Sequence, residues 1–163
     1  KDLVAIVVFM AAFFGVVFFA PEMNGYFLEH ANFDPADRLV TPQHIAPVWY
    51  FTPFYAILRA VPSKLFGVIL MGAAVVLPLF LPWLDKSPVK SIRYKGMISR
   101  ISLGLFVVAF VALGYLGVQP STDLFTALAR LFTGIYFLFF ILMPWWSKMD
   151  STKPVPERVV YHA

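Results

Sequence analysis

The sequence predicts an all-α membrane protein: four transmembrane helices, with a long outer loop carrying short interfacial helices. Three observations predict it. Of the 163 residues, 60% are hydrophobic and only 13% are charged, about half the charged share of an ordinary soluble domain (about 25%). The apolar residues form four runs, each close to the roughly 20 residues a helix needs to cross the hydrocarbon core. The basic residues gather in alternate connections, as membrane topology requires. The same composition excludes disorder. With no cysteine in the chain, a disulfide scaffold, an iron–sulfur cluster, a thiolate zinc site and a catalytic thiol are also excluded. A net charge of +4 in so apolar a chain reads as basic loops at a membrane face, and no nucleic-acid partner is expected.

The first span runs from Leu3 to Ala20 without a polar side chain. It is not expected to be a signal peptide: Lys1-Asp2 is a weak n-region, the apolar stretch is long for an h-region, and Phe18-Phe19-Ala20 puts bulk where a cleavage site wants small residues. Because the chain begins with Lys, it reads as a processed or split piece of something longer. The second span, Leu65 to Leu84, contains Gly67, Gly72, Pro78 and Pro82. The third, Ile101 to Val118, has Ser102 as its only serine or threonine. The fourth, Leu124 to Trp146, is interrupted by Thr126, Arg130 and Thr133. None alternates with the period of two that a barrel strand would show.

Orientation follows from charge. Lys86, Lys90, Arg93, Lys95 and Arg100 face a single acid, Asp85, between spans two and three. The tail adds Lys148, Lys153 and Arg158, and the N-terminus adds Lys1. These segments share one side, so both termini are expected in the cytoplasm. The stretch 21–64 then lies outside, where Glu22, Glu29, Asp34 and Asp37 outnumber Arg38, Arg59 and Lys64. Gln119–Asp123 lies outside with it. Arg130, about two turns into span four, is read as a buried or snorkelling ion-pair partner rather than a transport residue.

A four-span protein needs only short connections, so a 44-residue outer loop requires a reason. It holds six of the 13 prolines, among them Pro47, Pro53 and Pro62, which pin an irregular backbone. Between them stand Trp49, Tyr50, Phe51, Phe54 and Tyr55. Phe54–Val61, free of breakers after Pro53, is expected to form a short helix near the membrane surface. Two readings of these residues stay open: a rigid wall for a flat, partly apolar ligand, or an interfacial aromatic belt.

Residues 41–62 read TPQHIAPVWYFTPFYAILRAVP. This string closely resembles the quinol-oxidation loop of cytochrome b from respiratory cytochrome bc complexes, in which a Pro-Glu-Trp-Tyr tetrad precedes a Tyr-Ala-Ile-Leu-Arg stretch. Here the tetrad is Pro47-Val48-Trp49-Tyr50 and the stretch is Tyr55-Ala56-Ile57-Leu58-Arg59. The resemblance extends forward to Pro62-x-Lys64-Leu65 and back to Lys1-Asp2, covering essentially the whole chain. It implies a single domain over 1–163, the C-terminal half of cytochrome b, with helices five to eight of that family.

The resemblance implies roles for individual residues. Ile45, Pro47, Val48, Trp49, Tyr50, Phe51, Phe54, Tyr55 and Met71 would line the outer quinol pocket, with Tyr55 orienting the quinol through its hydroxyl. Lys1 and Asp2 would sit by the inner quinone-reduction pocket as a proton relay, although Asp2 also suits a helix N-terminus on electrostatic grounds alone. The loop near Lys64 would face an iron–sulfur protein. The tetrad departs from the family at Val48, which cannot accept the proton the usual glutamate takes, and Glu29 is the expected replacement. It stands 18 residues before Pro47, where other members place an ionisable histidine.

The resemblance also implies ubiquinol and ubiquinone as reactants and haem b in the assembled protein. The only histidines are His30, His44 and His162, all outside the four runs, whereas a bis-histidine haem in a bundle takes ligands from facing helices. The haem ligands are therefore expected from the N-terminal half of cytochrome b, and no metal site in this chain. Further expected partners are the iron–sulfur protein, a cytochrome c-type subunit and membrane lipid, in a dimeric complex of a bacterial inner membrane. The competing reading is a non-redox scaffold or transporter half, with Arg130 and the span-two prolines marking a solute path.

Overall fold

The computed structural model describes residues 2–25, 33–35, 37–39 and 47–155. All regular structure among them is helical: α1 (Asp2–Phe19), a 3₁₀ turn (Trp49–Phe51), α2 (Thr52–Ala60), α3 (Lys64–Val76), a 3₁₀ turn (Leu77–Phe80), α4 (Leu81–Leu84), α5 (Met97–Val118) and α6 (Asp123–Met149). The chain divides into two compact units, Lys1–Tyr50 and Phe51–Ala163.

In the first unit, α1 is apolar on every face after Asp2, and its phenylalanines stack along it at helical spacing, Phe9 on Phe13 at 6.3 Å and Phe14 on Phe18 at 5.8 Å between ring centroids. Pro21 has no N–H to continue the ladder. The chain turns there, with Met23, Asn24 and Gly25 all at positive φ (46°, 55° and 87°).

In the second unit, α3 with α4, α5 and α6 are each long and apolar enough to span a membrane, over Lys64–Leu84, Met97–Val118 and Asp123–Met149. α6 shows why they pack. Its buried residues are Ala129, Thr133, Tyr136, Phe140, Met143 and Ser147, a seam of alternating four- and three-residue steps. Phe106 of α5 meets this seam, lying 4.5 Å from Phe139 and 5.2 Å from Tyr136 between ring centroids.

The span-two prolines act inside one segment. Pro78 has no N–H for the Ala74 carbonyl, four residues earlier, so regular helix stops at Val76 and the chain tightens into a 3₁₀ turn before resuming as α4. The freed carbonyl is taken by the Tyr136 hydroxyl at 2.8 Å.

α5 and α6 both extend past their apolar runs. α5 begins four residues before Ile101 because its first turn is capped from another element: Gly96 has no side chain to offer, and the Asp150 carboxylate accepts the amides of Ile98 (3.3 Å) and Ser99 (3.1 Å) together with the Ser99 hydroxyl. Burial pushes the Asp150 carboxyl up, but these donors and the Gly96 amide outweigh it and hold the group below its ordinary value. At the same end the Lys153 amide donates to the Tyr94 carbonyl at 2.8 Å, and Lys95 pairs with Asp85.

Candidate functional site

The short helix α2 sits across the end of the second unit where α5 stops and α6 begins. Pro53 near its start pre-sets the helical φ. Thr52, Pro53, Ala56, Ile57 and Ala60 are buried, an i, i+4 pattern that puts one face on the other helices. The helix therefore starts two residues before the predicted Phe54 and ends one before Val61.

Two glycines let α2 come this close. A Cβ on Gly117 of α5 would collide with the Thr52 carbonyl, and one on Gly67 of α3 would lie 2.5 Å from the Leu58 carbonyl oxygen. Backbone thus touches side-chain-free backbone at both ends of α2.

Two arginines then hold it. Arg59 donates to the Gln119 carbonyl (3.0 Å), to the Ser121 hydroxyl (2.7 Å) and, at greater length, to the Gly117 carbonyl (3.5 Å). Its guanidinium carbon also lies 5.3 Å from the centroid of the Tyr55 ring, in cation–π contact. Arg130 donates from Nε to the carbonyl of Ala60, the last residue of α2, at 2.8 Å. That corrects the expectation of an ion-pair partner. A guanidinium at a helix C-terminus satisfies an orphan carbonyl and opposes the negative end of the dipole.

Within the second unit these contacts bring several expected residues together. Phe51, Phe54 and Tyr55 follow one another into α2. Phe51 and Phe54 have ring centroids 5.9 Å apart, and Phe54 meets Phe110 of α5 edge-on at 5.9 Å. Tyr55 is half-buried, and its hydroxyl has no hydrogen-bond partner among the described residues. Met71, half-buried, is one turn beyond Gly67 on the side of α3 that α2 crosses. Lys64 is exposed at the start of α3.

The first unit holds the rest of the set. Pro47 is half-buried, while Val48, Trp49 and Tyr50 are exposed, the Trp49 and Tyr50 rings standing at 88° with centroids 5.7 Å apart. Asp2 is exposed as the first residue of α1. Lys1, Glu29, Ile45, His30, His44 and His162 lie outside the described residues. Among the described residues no cluster of His, Asp or Glu could hold a metal ion.

Neither Arg59 nor Gly117 is among the residues expected at the site from the sequence. A signal was available for both. An arginine four residues after a tyrosine on one helix shares its face, and a glycine closing an apolar helix invites close backbone approach.

Three comparisons bear on this arrangement. Residues 35–137 match the family described as cytochrome b(C-terminal)/b6/petD. The chain is 58% identical to cytochrome b of Allochromatium vinosum over 98% of its length, and 41% identical to cytochrome b of Rhodospirillum rubrum over 98%. It spans only 39% and 38% of those relatives. A solved chain of a hyperthermophilic respiratory complex III superposes with a TM-score of 0.81 at 37% identity, covering 91% of this chain and 37% of that one.

Proposed function

The chain belongs to the family of cytochrome b C-terminal regions, and from that premise we propose that it forms much of the outer quinol-oxidation pocket of a quinol:cytochrome c oxidoreductase. The observation that carries this reading is the seating of α2. Carbonyl-bound arginines and glycine contacts fix the helix bearing Phe54 and Tyr55, with Phe51 in the turn that leads into it, and a site that must position a flat ring needs a support of this rigidity. Pro47, Val48, Trp49, Tyr50 and Ile45 complete the wall by family resemblance, and Met71 supplies an adaptable apolar contact.

The work of this chain is positioning and proton handling. Quinol loses two electrons and two protons on becoming quinone. The electrons pass to an iron–sulfur protein and to haem b, which supply the redox chemistry when bound. Tyr55 offers its hydroxyl to one quinol oxygen while Arg59 holds the ring behind it. With Val48 unable to take a proton, Glu29 is the proposed acceptor. The inner quinone-reduction pocket is given Lys1 and Asp2, Asp2 standing at the first turn of α1. Haem ligands come from the N-terminal half of cytochrome b, since no histidine lies in any of the four spans. The iron–sulfur protein docks near Lys64, and a cytochrome c-type subunit completes a dimeric complex in a bacterial inner membrane. The positive-inside rule puts the N- and C-termini in the cytoplasm.

The test is photolabelling of the assembled complex with a quinone analogue. Labelling of Tyr55 or Phe51, blocked by excess quinol, is expected; labelling that avoids α2 and the tetrad altogether would sink the proposal. For Glu29, the Glu29→Gln variant should lower quinol oxidation and shift its pH profile, and an unchanged profile removes the residue from the mechanism.

A further inference from the structure

At the end of the second unit opposite α2, a cavity of about 580 Å³ opens between α4, the 85–96 connection, α5 and α6. Its size is that of a small-molecule site. α5 and α6 line it mainly with apolar side chains, Leu103, Phe139, Met143 and Trp146, and the 85–96 connection brings Asp85, Ser87, Lys90 and Lys95 beside Ile92.

The polar lining is positive and incompletely satisfied. Asp85 is matched by Lys95, whose ammonium pairs with its carboxylate, and it also accepts the Ser87 amide at 3.1 Å. Lys90 has no ion pair among the described residues. The Ser87 hydroxyl oxygen is buried without a hydrogen-bond partner among them, a costly state for a hydroxyl unless a ligand supplies the partner.

A ligand that fits must bring negative charge for Lys90, an acceptor for Ser87 and an apolar length for the apolar lining. A quinone has no charge to offer, and free phosphate leaves the apolar lining bare. A phosphodiester carrying acyl chains meets all three needs, and basic pockets between membrane helices bind such headgroups. We propose that this cavity seats an anionic phospholipid, its phosphate against Ser87, Lys90 and Lys95 and an acyl chain along Leu103, Phe139 and Met143. The site stands apart from α2 and does not rest on the quinol reading.

The test counts lipid on the purified complex by native mass spectrometry after extensive detergent washing, with phosphatidylglycerol, phosphatidylcholine and inorganic phosphate as probes. Wild type should retain one anionic phospholipid per copy of this chain that Lys90→Glu loses at least fivefold. Leu103→Trp, which fills the apolar lining and leaves the charges alone, should lose it too. Ser87→Ala removes one hydroxyl only and serves if Leu103→Trp fails to assemble. Phosphatidylglycerol should refill the delipidated site while phosphatidylcholine does not. Undiminished lipid in the variants that assemble, equal refilling by phosphatidylcholine, or displacement of the lipid by inorganic phosphate would each overturn the proposal.

Discussion

The hydroxyl of Tyr136 donates to the carbonyl of Ala74 at 2.8 Å, both residues being buried. That carbonyl is free because Pro78, four residues on, has no N–H. The tyrosine on α6 therefore repairs a defect that proline makes in α3. Tyr136→Phe should lower the stability of the assembled complex by about 1 kcal/mol, as interhelical hydrogen bonds in membranes do. In a Pro78→Ala background the new backbone amide supplies the missing donor, and the same substitution should cost less than half as much. A double-mutant cycle followed by denaturant titration measures the difference.

Arg59 ties Tyr55 to the α5–α6 connection. Arg59→Ala should leave the helices in place but free the tyrosine ring and the end of α2, lowering quinol turnover by about tenfold, the equivalent of roughly 1.4 kcal/mol. Arg59→Lys keeps the charge and loses the fork that reaches Gln119 and Ser121 together, so its turnover should fall between the two. Steady-state kinetics on the assembled complex decide it, and a turnover unchanged in Arg59→Ala refutes the role.

Gly117 has the Thr52 carbonyl where a side chain would go. Gly117→Ala should therefore displace the start of α2 and cost about 1–3 kcal/mol, the usual range for overpacking. Gly104, on the same helix but with open space beside it, is the control: Gly104→Ala should be close to neutral. Thermal denaturation of the two variants side by side is the measurement.

Asp150 caps α5 from the far end of α6. Its folded carboxyl is held below the ordinary value, so its contribution is present above the unfolded pKa, about 3.9, and disappears as pH falls through the lower folded value. Asp150→Ala should be less stable than wild type at pH 7, with the gap closing only in strongly acidic buffer. A gap that narrows between pH 8 and pH 6 instead would assign the effect to another group.

The four spans were legible because each is a long, largely apolar run bounded by charge, which a bilayer admits as a helix. The helix at 52–60 was legible from Pro53 and the unbroken stretch after it. What the runs could not show is which element completes another. Met97–Arg100 is polar at its boundary, and its helix depends on a carboxylate some fifty positions later, Asp150. Arg130 shows the same limit: a cation in a span suggests an anion, and the bound partner is the carbonyl of Ala60, which no residue type advertises. Val48 is a further case: a valine points to no proton acceptor of its own, and Glu29 is an expectation that rests on the family resemblance alone.

The hydrogen bonds between elements of the second unit are placed along its whole length. Arg59 and Arg130 act at one end, Tyr136 in the middle, and Asp150 and the Lys153 amide at the other. Sliding α2, α5 or α6 by a single residue, about 1.5 Å, would lengthen several of these bonds at once. A piston movement is therefore closed to this part of the protein. On the proposed reading of the outer pocket, a quinol ring would enter past Phe54 and Tyr55 by torsions of those side chains, with the helices as the fixed jig that aligns it.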